Sequence, residues 1–250
     1  MENNQFLLLN NLIYQIYNTS NFDVMRKRVL ELLQVLIPNS ASSIFVADPT
    51  KPQNLLNSPI CIPESFYETE NRYMKLENED ESRWMLMCGE SMVIRESDLM
   101  ADKQRIQSKI YKQCYTPLGL YYAVQLTLGY YDDFLGVVSL YRKQEEGDFT
   151  DQDIFYLRSL GRHLSSRFYR YIYADNTSNT ASTSSIPSLA AKYRLTNREV
   201  DVLRLIFEEK NNALIIQDLG ISIHTLKKHI QNLYIKLGVS TRWEILSFRN

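Results

Sequence analysis

The strongest constraint on the fold is a polar segment, ADNTSNTASTSSIPS, that runs from Ala174 to Ser188. Its only large apolar residue is Ile186, so the segment cannot bury enough surface to offset the entropy of ordering it. The hydrophobic patterns on its two sides also differ in kind. We therefore predict a flexible linker at 174–188 between domains at 1–173 and 189–250, with a long surface loop inside one domain as the alternative.

Residues 1–173 mix helical and strand-like patterns, which predicts an α+β domain with an antiparallel sheet flanked by helices. Two strand-like runs, 120–129 and 134–142, are separated by the polar turn Tyr-Tyr-Asp-Asp and predict a hairpin. The remaining expected elements are helices over 5–18, 23–37 and 101–115, a helix capped by Thr150 with Asp153, and strands over 41–47, 83–87 and 92–95.

No strand pattern follows the linker, and four helices fit the sequence after it. Two of these helices are joined by a turn that contains glycine, which is typical of a helix-turn-helix. The boundary signals are the Thr196/Glu199 capping box of the first helix, the span Asn212–Leu219 for the second, the turn Gly220–Ser222, the Ser222 cap and Gly238 stop of the third, and the Thr241/Glu244 capping box of the last, Arg242–Phe248.

The third helix separates an apolar face from a basic face. Spacings of three and four place Ile223, Leu226, Ile230, Leu233 and Leu237 on the side expected to pack against the first two helices. No acidic residue occurs between Ser222 and Arg242. The opposite face and its flanks carry groups that contact phosphates and base edges: Thr225, Lys227, Lys228, His229, Gln231, Asn232 and Lys236. Combined with the turn, this pattern favours DNA binding over a merely solvated basic face.

The near-neutral net charge of −1 by itself argues against a nucleic-acid binder. The argument fails when the charge is counted separately for the two predicted domains. Residues 189–250 hold ten Lys and Arg against six Asp and Glu, a balance of +4. Residues 1–188 hold 18 against 23, a balance of −5. The charge distribution is therefore compatible with a basic DNA-binding domain attached to an acidic one.

The second region resembles the LuxR-type helix-turn-helix family. The resemblance is carried by LTNREV from Leu195, LRLI from Leu203, and DLGISIHTLKKHIQNLYIKLGVSTR from Asp218 to Arg242, with the family's landmark spacings kept throughout. It implies a transcription regulator that binds double-stranded DNA, as a homodimer on pseudo-palindromic sites.

The resemblance also implies residue roles. Family members touch DNA, mostly its backbone, at the positions of Thr225, Lys227, His229, Asn232 and Lys236. Lys227, Lys228 and Gln231 lie where base edges are reached, Arg198 and Glu199 match structural landmarks, and the last helix matches one used to dimerise on DNA. Two departures are that Glu209-Lys210 replaces a glycine after the first helix, and that Leu214-Ile215-Ile216 replaces Glu-Ile-Ala.

The first region is similar to GAF-like sensory domains at 93–99, 134–142 and 148–157, which implies a central antiparallel sheet with a pocket on one face. Fold analogy does not identify a ligand. The aromatic candidates for pocket residues are Tyr67, Tyr73, Trp84, Tyr121 and Tyr122, with core or subunit-interface packing as the alternative for each. A receiver domain is not expected in this region, because the alternating β and α elements that it needs are missing. A distant relative of the acyl-homoserine-lactone-binding domain remains an alternative to the GAF-like domain.

The sequence favours a regulator over an enzyme. No catalytic residues, metal ligands or cofactor motifs can be placed, and the three cysteines show no zinc or disulfide spacing, which favours a reducing, cytoplasmic location. We expect no signal peptide and no membrane association. The first domain would sense a small-molecule signal, dimerise, or do both; the alternative is a ligand-free interaction module, with RNA polymerase as a candidate partner.

Overall fold

The computed structural model describes residues 2–48, 55–87, 89–130, 133–174, 186–239 and 242–249. Contacts divide the chain into two compact units, Met1–Tyr171 and Ile172–Asn250. Of the predicted linker, 175–185 lies outside the described residues, whereas Ala174 ends a helix and 186–188 begin another, whose Leu189 is buried in the core of the second unit. The predicted domain boundaries themselves stay predictions.

An antiparallel sheet organises the first unit, and its five described strands have the order β2-β1-β5-β4-β3. The β4–β5 hairpin pairs Tyr130 with Asp133 at its tip and Leu120 with Lys143 at its base. Both the hairpin and the antiparallel α+β class are confirmed. The strands are β1 (Ala41–Ala47), β2 (Leu56–Ile62), β3 (Val93–Arg95), β4 (Leu120–Tyr130) and β5 (Asp133–Lys143).

Helices flank this sheet. The helices that begin in the first unit are α1 (Glu2–Asn18), α2 (Phe22–Leu36), α3 (Tyr67–Leu76), α4 (Glu96–Leu99), α5 (Asp102–Arg105) and α6 (Asp151–Ala174). The predicted cap of α6 is confirmed, since Asp153 N–H donates to Thr150 Oγ1 at 3.2 Å and Thr150 N–H donates to Asp153 Oδ2 at 2.8 Å. A Cβ on Gly136 of β5 would lie 2.3 Å from the Phe45 carbonyl oxygen and 3.1 Å from the Phe168 ring, so only glycine allows this close approach of β1 and α6.

Two local predictions for the first unit are wrong, and one strand was not predicted. Residues 83–87 form a 3₁₀ turn instead of a strand, because Asp80 accepts hydrogen bonds from the Ser82 amide and hydroxyl and starts a tight turn. The expected helix at 101–115 is broken into α5 and a π turn at Tyr111–Tyr115. Strand β2 was not expected; it lies at the sheet edge, where Pro59 and a register shift opposite Ile44–Val46 are tolerated.

The second unit is helical throughout its described residues. Its helices are α7 (Ile186–Tyr193), α8 (Asn197–Phe207), α9 (Asn212–Leu219), α10 (Ile223–Leu237) and α11 (Arg242–Ser247). The last four match the predicted four within one residue at each end that the sequence specified, whereas α7 was not predicted. The expected cap residue Thr241 lies outside the described residues. Among the described helices, none combines the length and hydropathy needed to cross a bilayer.

Candidate nucleic-acid interface and candidate ligand region

Local signals place the helix-turn-helix formed by α9 and α10. Asn211 caps α9 by accepting the Leu214 N–H at 2.9 Å, and Gly220 ends it in the left-handed conformation with φ of 61°. Ser222 then caps α10 by accepting the Thr225 N–H at 3.1 Å. Gly238, with φ of 70°, ends α10. Each boundary therefore satisfies backbone groups that a helix end leaves without partners.

The inner face of α10 fixes its orientation against α8 and α9. Leu226, Ile230, Leu233 and Leu237 are buried in the core of the unit, as the spacing predicted. Ile223 differs, because it is 40% exposed at the first turn of the helix. At this end α10 extends beyond the packed core, so the first turn presents an apolar side chain outward.

The outer face of α10 is exposed and basic. Lys227, Lys228 and Gln231 are exposed, and among the described residues neither lysine has an ion-pair partner. Thr225 is also exposed, with its hydroxyl 2.9 Å from that of Ser222. The lysine ammonium groups are thus available to phosphates, and the amide of Gln231 is available to a base edge.

The other predicted contact residues occupy the flanks of α10. His229 and Asn232 are half-buried. Lys236 Nζ lies 2.6 Å from Glu199 Oε2 and 3.1 Å from the Arg194 carbonyl oxygen. The ammonium of Lys236 is therefore already paired within the unit, and any phosphate it contacts would have to compete with Glu199.

Glu199 connects two structural features of the second unit. Its carboxylate accepts the Thr196 N–H at 2.8 Å, completing the predicted capping box of α8, and it also pairs with Lys236. Burial opposes ionisation of Glu199, but the hydrogen bonds from Lys236 and Thr196 outweigh it and lower the pKa. The family landmark predicted at this position is therefore an ionised cap that fastens α8 to α10.

The missing glycine after α8 leaves a strained residue. Glu209 has φ of 57°, and its N–H donates to the Ile206 carbonyl while the Lys210 N–H donates to that of Leu205. This is the hydrogen-bond pattern of a Schellman ending, whose left-handed position favours glycine. The departure in α9 has a different result: Ile215 is buried and Leu214 is exposed, so the position of the family's Glu holds a solvent-facing leucine.

Arg242 has a structural role that sequence reasoning missed. The residue is 1% exposed, and its guanidinium donates to Asn212 Oδ1 at 3.0 Å and to the Lys210 carbonyl at 2.5 Å. It therefore joins the start of α11 to the loop that precedes α9. The only sequence signal was that Arg242 ends the family resemblance; a lone arginine in a basic region gives no hint of burial.

The structure does not gather the five predicted aromatic residues into one pocket. Tyr67 lines an open groove, Tyr73 donates to Asp80 at 2.6 Å, and Trp84 is exposed. Tyr121 and Tyr122 do lie together, with ring centroids 4.7 Å apart beside Arg105. Their assignment to a ligand pocket stays a prediction.

The groove beside Tyr67 has a volume of about 890 Å³. It lies along β2, between α2 and the start of α3, and its floor includes Ile60 and Ile62. Glu31, Glu64 and Glu68 give its rim an acidic character, with one basic residue, Lys27. Its size suits a small molecule, and its charges suit a neutral or cationic one.

A buried carboxyl group lies between α3 and the sheet. Glu70 is 1% exposed, and its Oε1 accepts hydrogen bonds from Ser43 Oγ at 2.5 Å and Tyr141 Oη at 3.3 Å. Burial raises its pKa to about 7, although both hydrogen bonds favour the carboxylate. Glu96 is a second carboxyl group of this kind in the first unit. Burial raises its pKa to about 7, and the Tyr115 hydroxyl donates a hydrogen bond to it.

Glu70 was not among the predicted site residues, although its sequence context contains a signal. Phe66, Glu70, Tyr73 and Glu77 follow helical spacing, and both glutamates are buried on that face. A helical interpretation of 66–77 would have put two acids on a buried stripe, which is uncommon unless they are paired or functional.

Two of the three cysteines, Cys61 and Cys114, lie in the described structure, and both are buried. Burial raises the pKa of Cys61 to about 12 and that of Cys114 to about 11, so both remain protonated thiols at neutral pH. In the described parts of the chain, no three His, Cys, Asp or Glu side chains are grouped so that they could hold a metal ion.

Residues 193–248 match the family model described as bacterial regulatory proteins, luxR family. The second unit therefore carries a LuxR-family helix-turn-helix domain. Over 59 residues the chain is 44% identical to the HTH-type transcriptional regulator MalT of Yersinia pestis strain Pestoides F and, equally, to MalT of Serratia proteamaculans strain 568. These matches cover 24% of this chain and 6% of each MalT, so they concern this domain alone.

Solved structures show weaker likenesses over more of the chain. Escherichia coli SdiA has a TM-score of 0.43 and 16% identity, covering 97% of this chain and 95% of SdiA. The VqsR LBD domain from Pseudomonas aeruginosa has a TM-score of 0.47 and 16% identity, covering 67% and 96%. A phycoerythrobilin-bound GAF domain from a cyanobacterial phytochrome has a TM-score of 0.44 and 10% identity, covering 68% and 97%.

Proposed function

We propose that this chain is a transcription regulator whose LuxR-family domain binds operator DNA through α10. The observation that carries the proposal is the exposed basic face of α10, where Lys227 and Lys228 have no ion-pair partner in the described structure. Inserted in a major groove, this face would place Gln231 toward base edges and the lysines toward phosphates. The role is non-enzymatic and would be carried out in the cytoplasm, where chromosomal DNA lies.

The test begins with recovery of DNA fragments bound by the full chain, since the operator is unknown. Affinity for the recovered site is then measured as a function of salt. Lys227→Ala with Lys228→Ala removes two phosphate contacts, so we expect weaker binding and a log–log salt slope smaller by about two.

A matched control removes two exposed lysines of the first unit, Lys103→Ala with Lys143→Ala. This control should leave both the affinity and the salt slope unchanged. If the Lys227/Lys228 variant also kept the wild-type slope, α10 would not be the DNA-reading helix.

We propose further that the first unit receives a small-molecule signal and supports a homodimer. The open groove on β2 and the buried Glu70 region support this role, because both combine apolar walls with a few polar groups. Thermal unfolding of the full chain in the presence of a metabolite library tests it. A ligand should raise the unfolding midpoint and change the affinity for the recovered DNA site.

The second candidate is a ligand-free interaction module that dimerises or contacts RNA polymerase. It is favoured by the exposed aromatic side chains of α1, which a ligand pocket does not explain. If no compound shifts the unfolding midpoint while specific DNA binding is retained, the interaction module replaces the sensor.

A further inference from the structure

The outer face of α1 lacks charge. After Glu2 the next charged residue in the chain is Asp23, so the helix from Asn3 to Asn18 carries only apolar, amide and tyrosyl side chains. Phe6 is 69% exposed, Leu7 61% and Tyr14 60%. A solvated helix face normally carries charged residues, and large aromatic side chains in their place mark an interaction surface.

The inner face of α1 is firmly packed, which fixes the direction of the outer face. Leu12 and Ile16 are fully buried. Gln15 Oε1 accepts a hydrogen bond from Arg28 of α2 at 2.9 Å, and Tyr17 Oη lies 3.0 Å from His163 Nδ1 of α6. The helix is therefore held against both α2 and α6, and its exposed aromatics are not the product of a frayed terminus.

The apolar surface continues onto the start of α6. Tyr156 donates a hydrogen bond to Gln5 at 2.8 Å, which places the neighbouring Phe155, itself exposed, beside the first turns of α1. Further along the same face of α6, Arg158 and Arg162 are exposed and form the charged border of the neutral surface. A neutral centre with a charged border is the usual composition of a protein interface.

The size of this surface suits a dimer. Aromatic side chains present roughly 150–250 Å² each, so Phe6, Tyr14, Tyr17 and Phe155 at about half exposure present on the order of 400 Å², to which the exposed Leu7 adds. Asn4, Asn10 and Asn11 are exposed beside them and bring the face toward the roughly 800 Å² per partner that stable interfaces bury.

We propose that the occupant of this face is a second copy of the chain, with α1 packed against α1 around a two-fold axis. A two-fold interface sets a surface against itself, so a charged face repels its copy whereas the neutral face of α1 does not. Membrane-surface helices, by contrast, carry Lys or Arg on the polar face, and α1 has neither. This inference rests on the proposed function in one respect: a DNA site with two-fold symmetry is bound by two copies of the chain.

The experiment measures the mass of the full chain by sedimentation over a range of micromolar concentrations. The wild type should sediment at twice its 29.3 kDa mass. Leu7→Asp with Tyr14→Asp buries two unpaired charges in the interface and should weaken dimerisation at least 100-fold. Val24→Asp with Val35→Asp introduces the same charges at exposed apolar positions of α2 and should remain dimeric.

Each result of these measurements either supports or overturns the proposed α1–α1 interface. A monomeric wild type, or a Leu7/Tyr14 variant as dimeric as the Val24/Val35 variant, overturns the proposal. Binding of the monomeric wild type to phosphatidylglycerol vesicles, lost in the Leu7/Tyr14 variant, would assign the face to a membrane instead. Because DNA affinity is measured separately, a monomer that still binds its site with the expected salt slope refutes only the interface.

Hydrogen exchange of the wild type supplies a readout that does not depend on variant folding. Amides of 3–18 should exchange more slowly at 50 μM than at 0.1 μM protein, whereas those of α2 should not change. Equal exchange of α1 at both concentrations in a sample that sediments as a dimer would place the interface elsewhere.

Discussion

Glu70 in the first unit and Glu199 in the second are almost equally buried, with exposures of 1% and 2%. Within the described part of the chain, Glu70 has the hydroxyl groups of Ser43 and Tyr141 as its hydrogen-bond partners, and burial raises its pKa to about 7. Burial acts on Glu199 in the same direction, but the ammonium of Lys236 at 2.6 Å and the Thr196 cap lower its pKa. The pKa values of these two carboxyl groups are thus shifted in opposite directions, because Glu199 has a cation and the Thr196 donors as partners, whereas the Glu70 carboxyl has hydroxyl donors that do not offset its burial.

The two carboxyl groups have different parts in their units. In the second unit the buried carboxylate of Glu199 is ion-paired and joins α8 to α10. In the first unit an ionisable group is kept near its titration point inside the fold, and such perturbed groups cluster at functional sites. Each of the following predictions tests one side of this contrast.

Replacing Arg242 should have the largest effect. Arg242→Met removes two hydrogen bonds from a buried guanidinium and leaves the Lys210 carbonyl and Asn212 side chain without those donors. We expect a loss of about 3 kcal/mol in the unfolding free energy of the second unit, measured by chemical denaturation.

Arg198→Met is the control, since Arg198 is largely exposed and its contact with Asp201 at 3.6 Å is weak. Equal stabilities of the Arg242 and Arg198 variants would contradict the assigned role of the buried guanidinium.

Glu70 should make the first unit less stable as the pH rises. The folded state retains the Glu70 proton up to a pH of about 7, whereas an unfolded glutamate loses it near 4.5, so stability is lost between these values. Glu70→Gln keeps an acceptor for Ser43 and Tyr141 but cannot ionise. Above pH 7 it should therefore exceed the wild type by about 2 kcal/mol in unfolding free energy.

Denaturation midpoints at pH 5, 6, 7 and 8 measure this effect. Glu68→Gln, at an exposed position of the same helix, should follow the wild-type pH profile. A Glu70→Gln variant that kept the full pH dependence would show that another group titrates.

Lys236→Met should destabilise the second unit by about 1–2 kcal/mol at neutral pH, because it leaves the buried Glu199 carboxylate with only its Thr196 partners. Since Lys236 lowers the pKa of Glu199, the advantage of the wild type should shrink as the pH falls below the value for an unfolded glutamate. Thermal unfolding at pH 7 and pH 4 measures both effects. Lys227→Met, which breaks no ion pair in the described structure, should match the wild type at both pH values.

The smallest effect is expected at Glu209. Glu209→Gly relieves a left-handed conformation at φ of 57° and should raise the unfolding free energy by about 0.5–1 kcal/mol. The ion pair with Arg249 at 2.9 Å is lost, but an exposed pair contributes little. Glu208→Gly, one residue earlier at φ of −78°, should bring no gain in the same denaturation experiment. A lower midpoint for Glu209→Gly would mean that the Arg249 pair outweighs the strain.

The difference between local and long-range contacts explains which elements of the second unit could be predicted. In the second unit each predicted helix end rests on contacts within a few residues, such as the Ser222 cap and the left-handed Gly238. Helix α7 was missed because its anchor, Leu189, is buried in the hydrophobic core that the helices of the unit form together. The exposed basic face of α10 followed from spacing alone, but the pairing of Lys236 with a residue 37 positions away did not.

In the first unit prediction succeeded for the hairpin and the long helices and failed where long-range contacts dominate. Strand β2 has neither alternation nor a run of β-branched residues, and it exists because it pairs with β1. The five candidate pocket aromatics were chosen by residue type. Residue type does not specify which side chains, such as Trp84 and Tyr121, lie together in the fold. Glu70 was overlooked because acidic residues are expected at the surface.

The sequence by itself determined the helix-turn-helix, its boundaries and its basic face, because caps, glycine stops and three-and-four spacing act over a single turn of helix. Only the tertiary structure decided which charges are buried and with what partners: Glu199 with Lys236, Arg242 with the loop before α9, and Glu70 with hydroxyl groups alone. The physical reason is that a pKa or an ion pair depends on burial and on neighbours from distant parts of the chain, which no local pattern specifies.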